Sequence, residues 1–309
     1  APCTFSGGRC PGVSLRGARA FGAAFAAALT PVQSRTLTDA ARRASAAPPP
    51  DLQTFWLSEP GHAEALQLGR MEPERAALLA SLLPDCYFQT HGDTAGLHWP
   101  ALTLPAHERS ARLQAALAQC HARGLVHGWR NEAFAFWHHD CLMPPDDGQP
   151  PLLAVERAGF RFLGMRSHAV HINGFTPDGR LWCGRRSLTK ATDPGLLDNV
   201  TAGGLPAGES PIGCALRELQ EEAGAVQLDT RTLQEAGLVR TARLDTGGWH
   251  DETLLVYNLA CADGWAPVNQ DGEVAGFVCL SAAQTLEQIQ AGAFTQDAVA
   301  SLAQGLGLL

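Results

Sequence analysis

Residues 203–225 read "GGLPAGESPIGCALRELQEEAGA". Ser210 is a suitable N-cap, Pro211 fits the first helical turn, and Gly224 is a natural C-terminal stop. The spacing predicts a helix over 211–223. On it, Ile212, Leu216, Leu219 and Ala223 fall at i, i+4, i+7 and i+11, which makes one apolar stripe. Glu218, Glu221 and Glu222 share an arc of roughly 100° on another side. Like charges at that spacing weaken a bare helix by a few tenths of a kcal/mol per pair. A solvated acidic face would explain the glutamates alone. It would not explain the glycine-rich turn before the helix, or Glu209 at its mouth. A hard divalent cation explains all of these features. Mg²⁺ takes oxygen ligands, binds through one or two carboxylates plus substrate phosphates, and keeps waters. Glycines let backbone groups come close to it.

The segment resembles the Nudix box, Gly-x5-Glu-x7-Arg-Glu-apolar-x-Glu-Glu-x-Gly-apolar. Gly203, Glu209, Arg217, Glu218, Leu219, Glu221, Glu222 and Gly224 occupy its fixed positions, with Ala225 where a bulkier residue is common. The resemblance implies an α/β fold: a Nudix α/β/α sandwich around a mixed sheet, with the box as loop–helix–loop. It implies hydrolysis of a diphosphate joined to another moiety, dependent on Mg²⁺ or Mn²⁺. Carried over, Glu218, Glu221 and Glu222 are metal ligands, with the Gly203 carbonyl as an addition. Arg217 and Glu209 then hold the carboxylates in place. Such enzymes often use a further acid from beyond the box. Glu273 in "QDGEVAGFV" (270–278) is the candidate and Glu252 in "HDETLLV" its rival. Either Glu221 or Glu273 would accept the proton of the attacking water.

Upstream, "SHAVHINGF", the turn "TPDG" and "RLWCGRRS" read as a β-hairpin. It leads into "RRSLTKATDPGLLDN" (185–199), which holds Lys190, the only lysine beside twenty-two arginines. Lysine is a compact, rotatable point charge that arginine's planar fork does not imitate. Isopentenyl diphosphate isomerases are similar here, and in them the equivalents of Arg186 and Lys190 grip a diphosphate. Those enzymes carry a degenerate box and a cysteine just after the Asn. Asn199 is followed instead by "VTAGG", so hydrolysis is favoured over isomerisation.

A Nudix group with an extra N-terminal domain, related to the Nudix part of some thiamin pyrophosphokinases, is a closer match. "HGWRNE" (127–132), "HINGF" (171–175) and "DGEV" carry that likeness, over roughly residues 120–280. Members are associated with oxidised forms of thiamin diphosphate, cleaved to the monophosphate. On that analogy Trp129, Arg130, His171 and Asn173 are candidates for the organic end of the ligand. His168, Trp249 and His250 are further ones, each equally able to serve only the core or a loop. A non-catalytic Nudix ligand sensor is the alternative of another class. An intact box and the lack of a basic recognition helix count against it.

Composition frames these readings. The net charge of −8 and the absence of a dense basic face argue against nucleic acid as a partner. The expected partner is a small-molecule diphosphate, with the oligomeric state unspecified. Nine cysteines without a CxxC pair suggest reduced thiols in a cytoplasmic protein. The longest apolar run, "AFGAAFAAAL" (20–29), is too short to span a bilayer. It follows Arg9, Arg16 and Arg19 in the manner of a secretory signal, yet no clear cleavage site follows. Residues 1–50 hold thirteen alanines and six arginines and end in "AAPPP", which reads as a mobile tail. A small α+β N-terminal domain is expected over 51–155, with a helical stretch at 63–83 broken at Glu72-Pro73, a helix at 106–124 and a strand at 128–137. The Nudix domain is expected over 156–309.

Overall fold

The computed structural model describes residues 21–60, 65–91, 94–145, 149–190, 192–225, 230–270 and 272–309. Of the segment expected to be a mobile tail, residues 1–20 lie outside this description. The remainder is ordered against the body of the protein. After the short helix α1 (Ala23–Ala27), Thr30 and Gln33 form a reciprocal capping box and Pro31 opens α2 (Pro31–Arg42). Leu37 and Ala41, one turn apart, are buried together with Phe25.

A first core gathers the elements that follow. Strand β1 (Gln53–Ser58) pairs antiparallel with β2 (Leu66–Met71). Helix α3 (Pro73–Leu82) begins at its proline. Strands β3 (Tyr87–His91) and β4 (Thr94–Pro100) complete a four-stranded sheet in the order β2-β1-β4-β3, with β1 and β4 parallel. The break expected at Glu72-Pro73 is where α3 begins, but the stretch before it, expected to be helical, is strand β2. Helix α4 (Ala106–Ala122) buries Leu113, Ala116, Leu117 and Cys120 on the expected face. Strands β5 (Ala133–Phe136) and β6 (Leu153–Glu156) form a separate hairpin, and the first of them starts later than expected. Helix α5 (Arg157–Leu163) carries the first core on to Met165, past the boundary expected at 155.

The larger sheet has seven strands. Strand β7 (Arg166–Phe175), buried at every position, runs through its middle. Strands β8 (Leu181–Arg186), β9 (Leu197–Asp198) and β10 (Thr201–Gly204) precede helix α6 (Pro211–Ala223). Strands β11 (Leu233–Asp245), β12 (Gly248–Ala260) and β13 (Val274–Leu280) follow, and then helices α7 (Ala282–Gln290) and α8 (Gln296–Gly305). The main path is β11-β12-β7-β8-β13, with β10 paired to β7 and β9 to β8. Strand β12 runs parallel to β7 and the other neighbours are antiparallel, so the sheet is mixed. Helix α6 packs on one face through Cys214, Ala215 and Leu219. Helices α2, α7 and α8 cover the other through Leu37, Leu286 and Leu302. This is the α/β/α sandwich expected, with α2 recruited to its outer layer. No described helix is long and apolar enough to cross a membrane.

Candidate active site

Helix α6 is set at both ends as its sequence requires. The Ser210 side chain accepts from the Gly213 amide at 3.2 Å, and Gly224 ends the helix in the left-handed conformation at φ 64°. Its buried face is not the expected stripe. Cys214, Ala215, Leu219, Glu222 and Ala223 point inward, while Ile212 is 39% exposed. The rotation carries Glu222 under β10, where its carboxylate accepts from Thr201 Oγ1 at 2.5 Å and the Ala202 amide at 3.1 Å. Burial pushes the Glu222 carboxyl up to about 7, against the Thr201 hydrogen bond and with help from the charge on Glu218. Burial likewise raises Glu218, opposed by Arg217.

Arg217 ties the acids together. It grips Glu209 with Nε and Nη2 at 3.0 and 2.8 Å, and its Nη1 reaches Glu218 at 2.7 Å and Glu221 at 3.0 Å. Glu209 is the largest influence holding this guanidinium firmly in its charged form. Gly203 is needed for space, since a Cβ there would lie 2.1 Å from the Glu218 carboxyl. The buried Glu222 and the part-buried Glu218, with Arg217 on the outer side and Lys190 at 4.0 Å from Glu222, make a clustered oxygen-donor set. Such a set suits a hard divalent cation. Glu218, Glu221 and Glu222 would hold it.

The expected cationic half lies beside this cluster. Pairing of Arg186 with Val274 brings the end of β8 alongside Glu273, and the Ser187 amide donates to the Glu273 carbonyl at 3.0 Å. The Lys190 ammonium bonds the Glu273 carboxylate and stands 4.0 Å from Glu222. Burial works to raise the Glu273 carboxyl, but Lys190, with Arg130 and Arg157 farther off, outweighs it and holds the group below its usual range. Arg186 is occupied differently from expectation. It spans Asp198 Oδ2 at 2.8 Å and the Thr192 carbonyl at 2.9 and 3.0 Å, which fixes the loop bearing Lys190.

A cleft of about 1040 Å³ runs from these groups along the first core; Arg130, Phe134, Arg161, Lys190, Glu218 and Glu252 are among its walls. Glu252 accepts from Ser167 Oγ at 2.7 Å and stands 3.7 Å from His250 Nε2. His171 and Asn173 do not line this cleft. Asn199 bridges them, its Oδ1 accepting from His171 Nδ1 at 2.8 Å and its Nδ2 donating to Asn173 Oδ1 at 2.7 Å. Asn173 in turn donates to Asn258 and the Ser301 carbonyl. The network joins β7 and β12 to α8, so the two residues expected at the organic end of the ligand stand apart from the cleft walls. Trp129 also turns away, stacking on His121 at 4.6 Å and donating to Asn131. Trp249 is core, beside Leu52 and Ala242. His168 is buried against the Cys141 carbonyl, and burial lowers it to about 4.

Three contributors escaped the sequence reading. Thr201 could have been noticed as a hydroxyl within an otherwise apolar run. Phe134 packs where a Cβ on Gly204 would sit, 2.3 Å from its ring, and the Ala207 amide donates to the Ala133 carbonyl at 2.8 Å. The β5–β6 hairpin is thus bonded to the loop that opens α6. Glu156 anchors that hairpin, and only its place before a helix hinted at it.

Comparison with known proteins fits this geometry. The NUDIX domain family matches residues 165–300. This part of the chain is similar to NUDIX domains. The chain is 33% identical over 178 residues to Nudix hydrolase 24, chloroplastic, of Arabidopsis thaliana, covering 57% of this chain and 47% of that protein. Nudix hydrolase 20, chloroplastic, of the same plant is 34% identical over 175 residues, covering 56% and 45%. The chain therefore spans about half the length of the curated relatives it matches. Among solved structures, DR0079 from Deinococcus radiodurans has a TM-score of 0.40 at 20% identity, over 56% of this chain and 98% of that one. The whole box, Gly203 to Gly224, lies within the matched residues.

Proposed function

We propose that this chain is a divalent-metal-dependent pyrophosphohydrolase acting on a diphosphate joined to an organic moiety. The observation that carries the reading is the joint placement of Glu218, Glu221, Lys190 and Glu273 on the wall of the cleft, with Glu222 in a small pocket beside it that Lys190 and Glu273 also line. Mg²⁺ or Mn²⁺, when bound, would neutralise charge on the diphosphate and lower the pKa of an attacking water. Glu218 and Glu222 are the buried ligands, and Arg217 with Glu209 fixes their orientation. Glu221 is half exposed and faces the open cleft, so it is our assignment for taking the proton. Glu273 is held ionised by Lys190 and serves to position that ammonium until a phosphate claims it.

The substrate we favour is an oxidised form of thiamin diphosphate, cleaved to the monophosphate. Support comes from the resemblance of "HGWRNE" and "RRSLTK" to that group, within an accessory unit we place at 51–155. A cytoplasmic setting is proposed from the cysteines, which are free among the described residues. No cysteine of those residues lines the cleft, which counts against an isomerase using a thiol.

The test is a Mg²⁺-dependent hydrolysis screen over nucleotide sugars, ADP-ribose, dinucleotides, and thiamin diphosphate with its oxidised forms. At least one should be cleaved, and Glu222→Gln should lower its kcat by more than about a hundredfold, beyond the usual effect of losing an outer partner. No cleavage, or a variant as active as the wild type, would end the hydrolase reading.

A further inference from the structure

The cleft wall opposite the box helix comes from the first core, and one side chain on it is free. The arginines of this cleft are otherwise engaged: Arg161 with Asp245, Arg186 with Asp198, Arg217 with Glu209, Arg243 with Asp297, Arg157 with Glu132 and Arg75 with Glu72. Among the described residues, the Arg130 guanidinium makes no hydrogen bond or ion pair. It is exposed and shares the cleft with Lys190, Glu218 and Glu273.

The backbone under Arg130 is built with unusual care. Gly128 and Asn131 both adopt left-handed conformations, at φ 75° and 58°, and the second is uncommon for a residue with a side chain. Glu156, 2% exposed, accepts from the amides of Arg130 at 2.9 Å, Glu132 at 3.2 Å and Ala158 at 3.5 Å. A buried carboxylate is costly to desolvate. Here it is used on backbone amides rather than on a cation, so its effect is to set the path of residues 130–132. Next to them, Arg157 is locked over the Phe134 ring at 5.0 Å, and Phe134 rests on Gly204 of the box. The loop is thereby indexed to the metal-binding helix.

We propose that Arg130 is a phosphate-binding cation contributed to the cleft from outside the NUDIX domain, with Glu156 as its positioning residue. The inference rests on the hydrolase reading and deepens it: the ligand class is the diphosphate itself, gripped by Lys190 from one side and Arg130 from the other. Arginine suits this position because its fork can meet two phosphate oxygens at once. The empty guanidinium and the rigid loop beneath it leave that fork pre-arranged, so little order is lost on binding.

The test uses the full chain with Mg²⁺ and methylenediphosphonate, a non-hydrolysable diphosphate, in titration calorimetry. Arg130→Ala should weaken binding of the diphosphonate about ten- to a hundredfold, while binding of Mn²⁺ alone is unchanged. Arg130→Lys should recover part of the loss. Glu156→Gln should weaken binding in the same direction, and Arg130→Ala combined with Glu156→Gln should bind no worse than Arg130→Ala. A merely structural Glu156 would add its effect to that of Arg130 instead. Equal diphosphonate affinity in wild type and Arg130→Ala overturns the proposal, as does an equal loss of Mn²⁺ affinity. A wild-type chain that neither binds the diphosphonate nor cleaves any diphosphate defeats the underlying hydrolase reading.

Discussion

Glu222 is 5% exposed, and Lys190 at 4.0 Å is the cation that reaches it. Its carboxyl is raised to about 7 when folded, against an ordinary value of 4.5. The folded chain therefore holds a proton that the unfolded chain has released across this interval. The associated stability is fully present below about pH 4.5 and is lost as pH rises through about 7, an effect on the order of 3 kcal/mol. The melting temperature of the metal-free protein should fall between about pH 5 and about pH 8 more steeply in wild type than in Glu222→Gln. Mg²⁺ should restore wild type at the upper end, since it binds the carboxylate that proton loss uncovers. Scanning calorimetry at both ends checks this, and parallel profiles would contradict it. At this scale the box residues were legible because the chemistry needs them at fixed spacing. Lys190 and Glu273 were each legible, but their pairing joins positions 190 and 273 across a strand register that no local pattern encodes. The internal bonds of His171 and Asn173 were not legible, because a polar side chain in a strand covered on both faces can equally serve a ligand or an internal network.

Helix α2 shows what composition conceals. Alanine and proline around it suggest a tail, yet Thr30, Pro31 and Gln33 carry complete start signals, and Leu37 with Ala41 supplies the face that meets α8. Leu37→Ala should lower stability by about 2–5 kcal/mol, as for a buried core leucine. Chemical denaturation with an unchanged midpoint would show that the helix is an appendage. Strand β2 was misread for a related reason. "LQLGRM" is too short for period alone to separate strand from helix. What decides it is β1 alongside and Gly69, where a Cβ would lie 2.3 Å from the Leu163 carbonyl. Helix α6 was placed to the residue, but its rotation was not, because the inward turn of Glu222 depends on Thr201 from a different strand.

Across the whole molecule, the two cores meet at a few specific contacts. Arg75 on α3 donates to the carbonyls of Gly247 and Phe162 at 2.7 and 3.2 Å, bracing the turn between β11 and β12. Phe134 closes on Gly204 at the other end of the cleft. Phe134→Ala should cost about 3–5 kcal/mol. It should also slow hydrolysis although every glutamate remains, because the wall carrying Arg130 loses its seat. Full activity in a folded Phe134→Ala protein would show that the wall is passive. The α/β/α sandwich could be anticipated from one motif, whereas this second wall could not, since its contacts join segments with no shared signature.

The chain just after α2 does one thing more. Strand β11 is the outermost strand of the large sheet, and an outer strand offers unpaired amides and carbonyls to any other extended chain. Here Ala46 donates to the Ala242 carbonyl at 2.7 Å, and Ala242 donates to the Ala44 carbonyl at 2.8 Å. A short piece of the protein's own backbone thus occupies the middle of that border. Its presence discourages strand-to-strand self-association, so shortening the chain past residue 46 would trade a trimmed terminus for a sticky edge and a shorter shelf life in solution.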